Sequence, residues 1–174
     1  MSLASKPPMQ PLPRRPEPPR HVPPPSLRLR PADKADIARI RQIAEATYGP
    51  YRKDLPKPPS ALTDDYALLI ADDAVFVVEG RDGVAGFAVL LGLHHALMVH
   101  SLAVDPDMQR QGVGKMLIAF ATGHAASLGL QALEASVEKA MLPVIAWLGR
   151  NDFVAIRSPG PGGYQRYYFR RDVT

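Results

Sequence analysis

Apolar and polar positions along this chain follow two periods, and the switches between them mark its elements. Ser26 to Arg30 reads Ser-Leu-Arg-Leu-Arg, the alternation of a half-buried first strand. Pro31-Ala32-Asp33 then opens a helix with Asp33 as its cap, and Ile37, Ile40, Ile43 and Ala44 form its apolar side. Thr47-Tyr48-Gly49-Pro50-Tyr51 breaks that helix, and the basic, proline-rich segment from Arg52 to Ser60 is a loop. Thr63 to Ile70 predicts a short second helix capped by Thr63. Val75 to Glu79 and Val84 to Leu91 are strands joined by the turn Gly80-Arg81-Asp82-Gly83. Leu97 to Val104 is the next strand, with His94 and His95 in the turn before it. Helical spacing returns at Val113, Met116, Leu117, Phe120, Ala121 and Leu128, and Gly129 stands where a helix ends. Gln131 to Val137 is a strand. Pro143 suits the first turn of a short helix running to Leu148. Asp152 to Ser158 and Tyr164 to Arg170 are the last strands, joined by a Pro-Gly loop at 159–163. The order predicts an α/β (α+β) fold, a mixed and mostly antiparallel sheet flanked by helices, with parallel pairing near the strand that ends at Val104.

The stretch from Val99 to Lys115 organises the rest. It runs from an apolar strand through Asp105-Pro106 into a helix that opens on Gly112-Val113-Gly114-Lys115. The first N–H groups of a helix have no intrahelical partner, and the helix dipole adds partial positive charge. Glycines at 112 and 114 let a ligand approach the backbone, and Arg110 and Lys115 add full charges. A phosphate-bearing ligand fits. A dinucleotide fingerprint needs a third glycine where Leu117 stands, and a Walker loop needs Gly at Gln109 and Ser or Thr at Met116. What remains is Gln-x-x-Gly-x-Gly preceded by Leu-Ala-Val-Asp-Pro. This resembles the acetyl-coenzyme A site of the GNAT N-acetyltransferase superfamily, and Leu-Arg-Pro-Ala followed by Asp-x-x-x-Ile is similar to the opening of those domains. The element order agrees across residues 27 to 171.

The resemblance implies that Gln109, Arg110, Gln111, Gly112, Val113, Gly114 and Lys115 cradle the pyrophosphate of acetyl-CoA. It implies that Leu102, Ala103 and Val104 pair with the pantetheine arm, their N–H groups polarising the thioester carbonyl. The activity implied is acetyl transfer from acetyl-CoA, as cosubstrate, to a primary amine by direct attack. The partner is then an amine-bearing acceptor, small molecule or peptide, and a homodimer is compatible with it. A non-catalytic acyl-CoA-binding regulatory domain of the same fold is the alternative.

Composition narrows the setting. The chain has 174 residues, no cysteine and a net charge of +4. Without cysteine there is no disulfide framework, thiolate metal site or cysteine nucleophile. Ten of the nineteen prolines and +3 of the net charge (Lys6, Arg14, Arg15 and Arg20 against Glu17) lie in residues 1–25. That segment reads as a disordered, basic, proline-rich tail before a domain at 26–174, either functionless or a docking arm. The basic balance belongs to the tail, so nucleic-acid binding by the domain is not expected. No apolar run suits a membrane or a signal peptide, and the cytoplasm is the expected location. No metal site is expected: Asp64-Asp65 and Asp72-Asp73 read as solvated caps and turns, and adjacent His94 and His95 point to opposite sides of a strand.

An amine nucleophile must be neutral. A lysine-like ammonium lies about 3.4 pKa units above pH 7, so deprotonation costs roughly 4.6 kcal/mol and calls for a base. No carboxylate lies between Leu91 and Val104. His100 is the titratable group just before the cofactor contacts, and strict alternation places it on one face with Met98, Leu102 and Val104. It reads equally as base or as a structural half-buried histidine; Glu79 is a weaker candidate. Tyr48 and Tyr51 read as acceptor-covering or as loop packing. The family's usual acid, a tyrosine on the helix before the last strands, aligns with Leu148 when Phe153 is set at the family's Gly-Phe, with Asp152 at its Gly position.

Overall fold

The computed structural model describes residues 26–158 and 165–173. The proline-rich tail, the loop at 159–163 and the expected strand start at Tyr164 lie outside the described residues. Seven strands form one sheet in the order β1-β2-β3-β4-β5-β7-β6: β1 Arg28–Pro31, β2 Val75–Gly80, β3 Gly83–Gly92, β4 Leu97–Val104, β5 Ala132–Glu138, β6 Val154–Arg157 and β7 Arg166–Asp172. All neighbours are antiparallel except β4 and β5, which are parallel. The expected mixed sheet flanked by helices is therefore present. No described helix is long and apolar enough to cross a membrane.

Two apolar layers cover the sheet. On one face α1 (Ile37–Tyr48), α2 (Ser60–Thr63) and α3 (Tyr66–Ala71) bury Ile40, Ile43, Ala61 and Tyr66 against Val77, Phe87 and Ala103. On the other, α4 (Val113–Ser127) and α5 (Leu142–Arg150) bury Val113, Leu117, Ala121 and Leu148 against Val78, Leu97, Leu133 and Phe169. Asp33 caps the first helical turn as expected, accepting from Ala35 N–H, and Asp36 completes a capping box. Arg30 holds Asp36 at 2.7 and 3.0 Å, which keeps that carboxyl below its ordinary range. Gly129 is left-handed at the end of α4 (φ 72°), again as expected.

Three expectations fail locally. Thr63 to Ile70 is two helices rather than one, broken at Asp64-Asp65. Asp64 is extended there (ψ 142°), and Asp65, not Thr63, caps α3 by accepting from Leu68 N–H. Leu128 is 55% exposed instead of buried, because it is the residue past the last turn of α4, where the helix has ended. Asp152 belongs to the turn that closes α5, with φ 64°, and β6 starts only at Val154.

Strict alternation in β4 also fails. Leu97 and Val99 pack into the α4 layer, yet so do Leu102 and Val104, while Ala103 faces the α1 layer. The parity changes at a bulge: Val89 pairs with Ser101 and Leu90 with Val99, leaving His100 without a partner on β3. Beside it, the Ser101 hydroxyl is buried with no hydrogen-bond partner. A buried unsatisfied hydroxyl costs about 1–3 kcal/mol. Ser101→Ala should therefore raise the melting temperature by at least about 2–4 °C, the shift for ~1 kcal/mol in a chain of this size. A lower Tm in a ligand-free melt would count against this account.

Candidate functional site

β4 leads into the site and the bulge shapes it. Asp105 N–H, just past the strand, donates to Ala85 C=O on β3. Backbone groups alternate along an antiparallel pair, so Ala103 also faces β3, while Leu102 and Val104 direct theirs to the opposite edge. On that edge β5 pairs only with Leu97 and Met98. From His100 onward β4 therefore presents a row of backbone groups that no strand covers.

The row ends at a helix terminus. Asp105 accepts from Asp107 N–H at 2.9 Å and is ion-paired with Arg39 of α1, whose Nε also donates to Val84 C=O at 3.2 Å. These bonds fix the turn between β4 and α4. Arg110 is left-handed at φ 62° and Gly112 at φ 88°, so the chain doubles back before the helix starts. Gly112 caps α4 without a side-chain bond, and its C=O accepts the first helical bond from Met116 N–H. A Cβ built on Gly112 meets nothing within 4 Å. The first N–H groups of α4 open onto that space.

Gly114 also packs closely against α5. A Cβ there would lie 3.0 Å from Cζ2 of Trp147 on α5. Its missing side chain makes room for an indole. Ala103 and Val113 are buried, so only their backbone groups are available to a ligand. Gln109, Arg110, Gln111 and Lys115 are exposed around the cradle. Gln109 Nε2 approaches Val104 C=O at 3.4 Å, and Gln111 Nε2 approaches Asp107 C=O at 3.5 Å, both long contacts.

The structure corrects the expected face of His100. The bulge turns it away from Leu102 and toward the break between α2 and α3, where its Nε2 lies 3.1 Å from Asp64 Oδ2. Asp64 is thus not a solvated cap. Burial pushes its carboxyl above the ordinary value, and the neighbouring His100 opposes that rise. In the tautomer that donates Nε2–H to the carboxylate, Nδ1 is the nitrogen left to accept a proton. Sequence spacing gave no sign of this pair, because 36 residues separate its members and only the sheet brings them together. Glu79 is committed elsewhere, to Arg30 on β1.

Tyr48, at the end of α1, reaches into the row of backbone groups. Its hydroxyl donates to Leu102 C=O at 2.7 Å and accepts from Leu102 N–H at 3.2 Å. Burial pushes that phenol up to about 12, so it stays protonated through the physiological range. Leu148, in contrast, is 4% exposed and packed in the α4 layer. The left-handed Asp152 and the bond from Phe153 N–H to Leu148 C=O give this turn the geometry a glycine would take, in keeping with the alignment of Phe153. Leu148→Tyr would overpack that layer and bury a hydroxyl, for a loss of about 1–3 kcal/mol or more. The expected outcome is a lower Tm and no gain in turnover; a faster enzyme of unchanged Tm would refute it. Among the described residues, no three His, Cys, Asp or Glu side chains stand close enough to hold a metal ion.

The acetyltransferase (GNAT) family model matches residues 37–153. No curated protein matches the chain in sequence. Among solved structures, the PaiA N-acetyltransferase of Thermoplasma acidophilum, in complex with coenzyme A, superposes with a TM-score of 0.72 at 12% identity, covering 84% of this chain and 99% of that one. The ribosomal-protein-S18-alanine N-acetyltransferase of Escherichia coli gives 0.63 at 18% identity, over 86% and 95%. The N-acetylglutamate synthase of Neisseria gonorrhoeae, complexed with coenzyme A and N-acetyl-glutamate, gives 0.63 at 19%, over 86% of this chain and 35% of that one. At these identities the likeness is one of fold.

Proposed function

Since the chain belongs to the GNAT acetyltransferase family, we propose that it transfers an acetyl group from acetyl-CoA to a primary amine, by direct attack within a complex of both. The observation that carries this reading is the continuity of the site. The uncovered backbone edge of β4 runs directly into the open left-handed cradle at Gly112. An extended acyl-pantetheine arm needs the first, and a pyrophosphate needs the second. Acetyl-CoA supplies the activated acyl group; the chain's own groups bind and orient it. Val113, Gly114 and Lys115 N–H would hold the phosphates, with Arg110 and Lys115 adding charge around them. Leu102 N–H would donate to the thioester carbonyl.

The acceptor's proton goes to His100 Nδ1. Asp64 fixes the ring through Nε2 and favours the imidazolium that forms. No tyrosine stands on α5 at position 148 to meet the leaving sulfur. A thiol of pKa about 8.5 leaves as its anion without one. The apolar α5 is the feature that favours the second reading, a non-catalytic acyl-CoA-binding domain. Release of free CoA thiol, measured across a panel of small amines, aminoglycosides and peptides, separates the two. Thiol release that depends on one acceptor class supports transfer. Tight acetyl-CoA binding with no acceptor-dependent release would establish the binder instead.

A further inference from the structure

Leu102 has one N–H, and in this structure it is taken. Tyr48 Oη accepts from it at 3.2 Å and donates to the C=O of the same residue at 2.7 Å. A single hydroxyl that meets both groups of one residue does what a neighbouring strand or an extended ligand would do at an uncovered sheet edge. A carbonyl oxygen accepting from Leu102 N–H needs the space that Oη fills, and the two cannot share one proton donor at full strength. Tyr48 sits at the junction of two helical segments. It is the last residue of α1, and Gly49 and Pro50 follow it into a 3-10 turn.

We infer that Tyr48 is a working residue of the thioester site: its hydroxyl holds the position of the reacting carbonyl oxygen in the free protein and is displaced when acyl-CoA binds. The inference rests on the acetyl-CoA reading above. In the free state the contact satisfies two part-buried backbone groups on an edge that no strand covers. On binding, both bonds must be exchanged, which lowers the apparent affinity by the fraction of molecules in which Leu102 is open. After transfer, when the acetyl group has left on the amine, the hydroxyl returns to Leu102.

The test is Tyr48→Phe, which keeps the ring and removes the competing oxygen. Binding can be followed through Trp147, the chain's one tryptophan, which lies against Gly114 at the cradle. The variant should bind acetyl-CoA about 5- to 30-fold more tightly, the scale of one or two net hydrogen bonds. Its ligand-free Tm should be lower. Adenosine 3′,5′-diphosphate carries no pantetheine arm and should bind both proteins alike. Equal or weaker acetyl-CoA affinity in a folded variant would overturn the displacement. So would an equal gain for the diphosphate, which would place the effect at the cradle. If acetyl-CoA bound neither protein, the acetyl-CoA reading itself would fall with it.

Discussion

Replacing His100 by alanine should lower kcat/KM by about 10²–10⁴-fold, the usual range for loss of a general base, with acetyl-CoA affinity unchanged. The geometry behind this is specific. The bulge in β4 removes His100 from the strand ladder, and Asp64 holds its Nε2 at 3.1 Å. The wild-type rate should rise with pH along one ionisation, and that limb should be missing in the alanine variant. A variant with unchanged kcat/KM and an unchanged pH profile would remove His100 from the chemistry. Deprotonation by a water chain, or an acceptor that binds already neutral, would then take its place.

Asp64 separates catalysis from stability. Its carboxyl is raised by burial, so the native state holds that proton to higher pH than the unfolded chain does. As pH rises from the unfolded value through the folded one, the native state binds more protons than the unfolded state, and stability falls. At neutral pH the native state therefore holds this group's ionised form less well than its protonated form. Asp64→Asn should lower kcat/KM and flatten the pH profile while leaving Tm at pH 7 equal or higher. An equal loss of activity and Tm would instead mark the pair as structural.

What the sequence made legible was local. The turn and helix start could be read because their parts are contiguous in the chain: the Asp105-Pro106 turn, the two glycines, and the apolar face of α4. The strands flanked by turns could be read for the same reason. Long-range facts could not. The pairing of Asp64 with His100 and the grip of Tyr48 on Leu102 join residues 36 and 54 positions apart. The bulge is invisible in Leu-Met-Val-His-Ser-Leu-Ala-Val, because it arises from pairing against β3 and not from composition. Strict alternation therefore put His100 on the wrong face. The packing of Gly114 against an indole could not be read either, because that indole lies on α5, 33 residues later.

The cradle gives the largest effect on binding. Gly112→Asp should abolish detectable acetyl-CoA binding while leaving a folded protein. Gly112 has φ 88°, and aspartate is among the residues that tolerate left-handed backbone best. A Cβ there meets no atom within 4 Å, so the substitution brings no clash. What it brings is a carboxylate in the space where α4 presents its unpaired N–H groups. A negative charge about 4 Å from a phosphate costs roughly 4 kcal/mol at a surface-like dielectric, or more than 10²-fold in affinity. Wild-type protein at ligand concentrations about 100 times Kd should gain about 2.7 kcal/mol, which is about 5–10 °C in Tm for a chain of this length. The variant should show no such shift, and ATP and NAD should give none comparable in the wild type. Gly112→Ala separates the two effects: it carries the left-handed strain, about 1–2 kcal/mol, without the charge. It should melt earlier yet still respond to acetyl-CoA. If the aspartate variant kept its acetyl-CoA shift, the phosphates would have to lie elsewhere along α4.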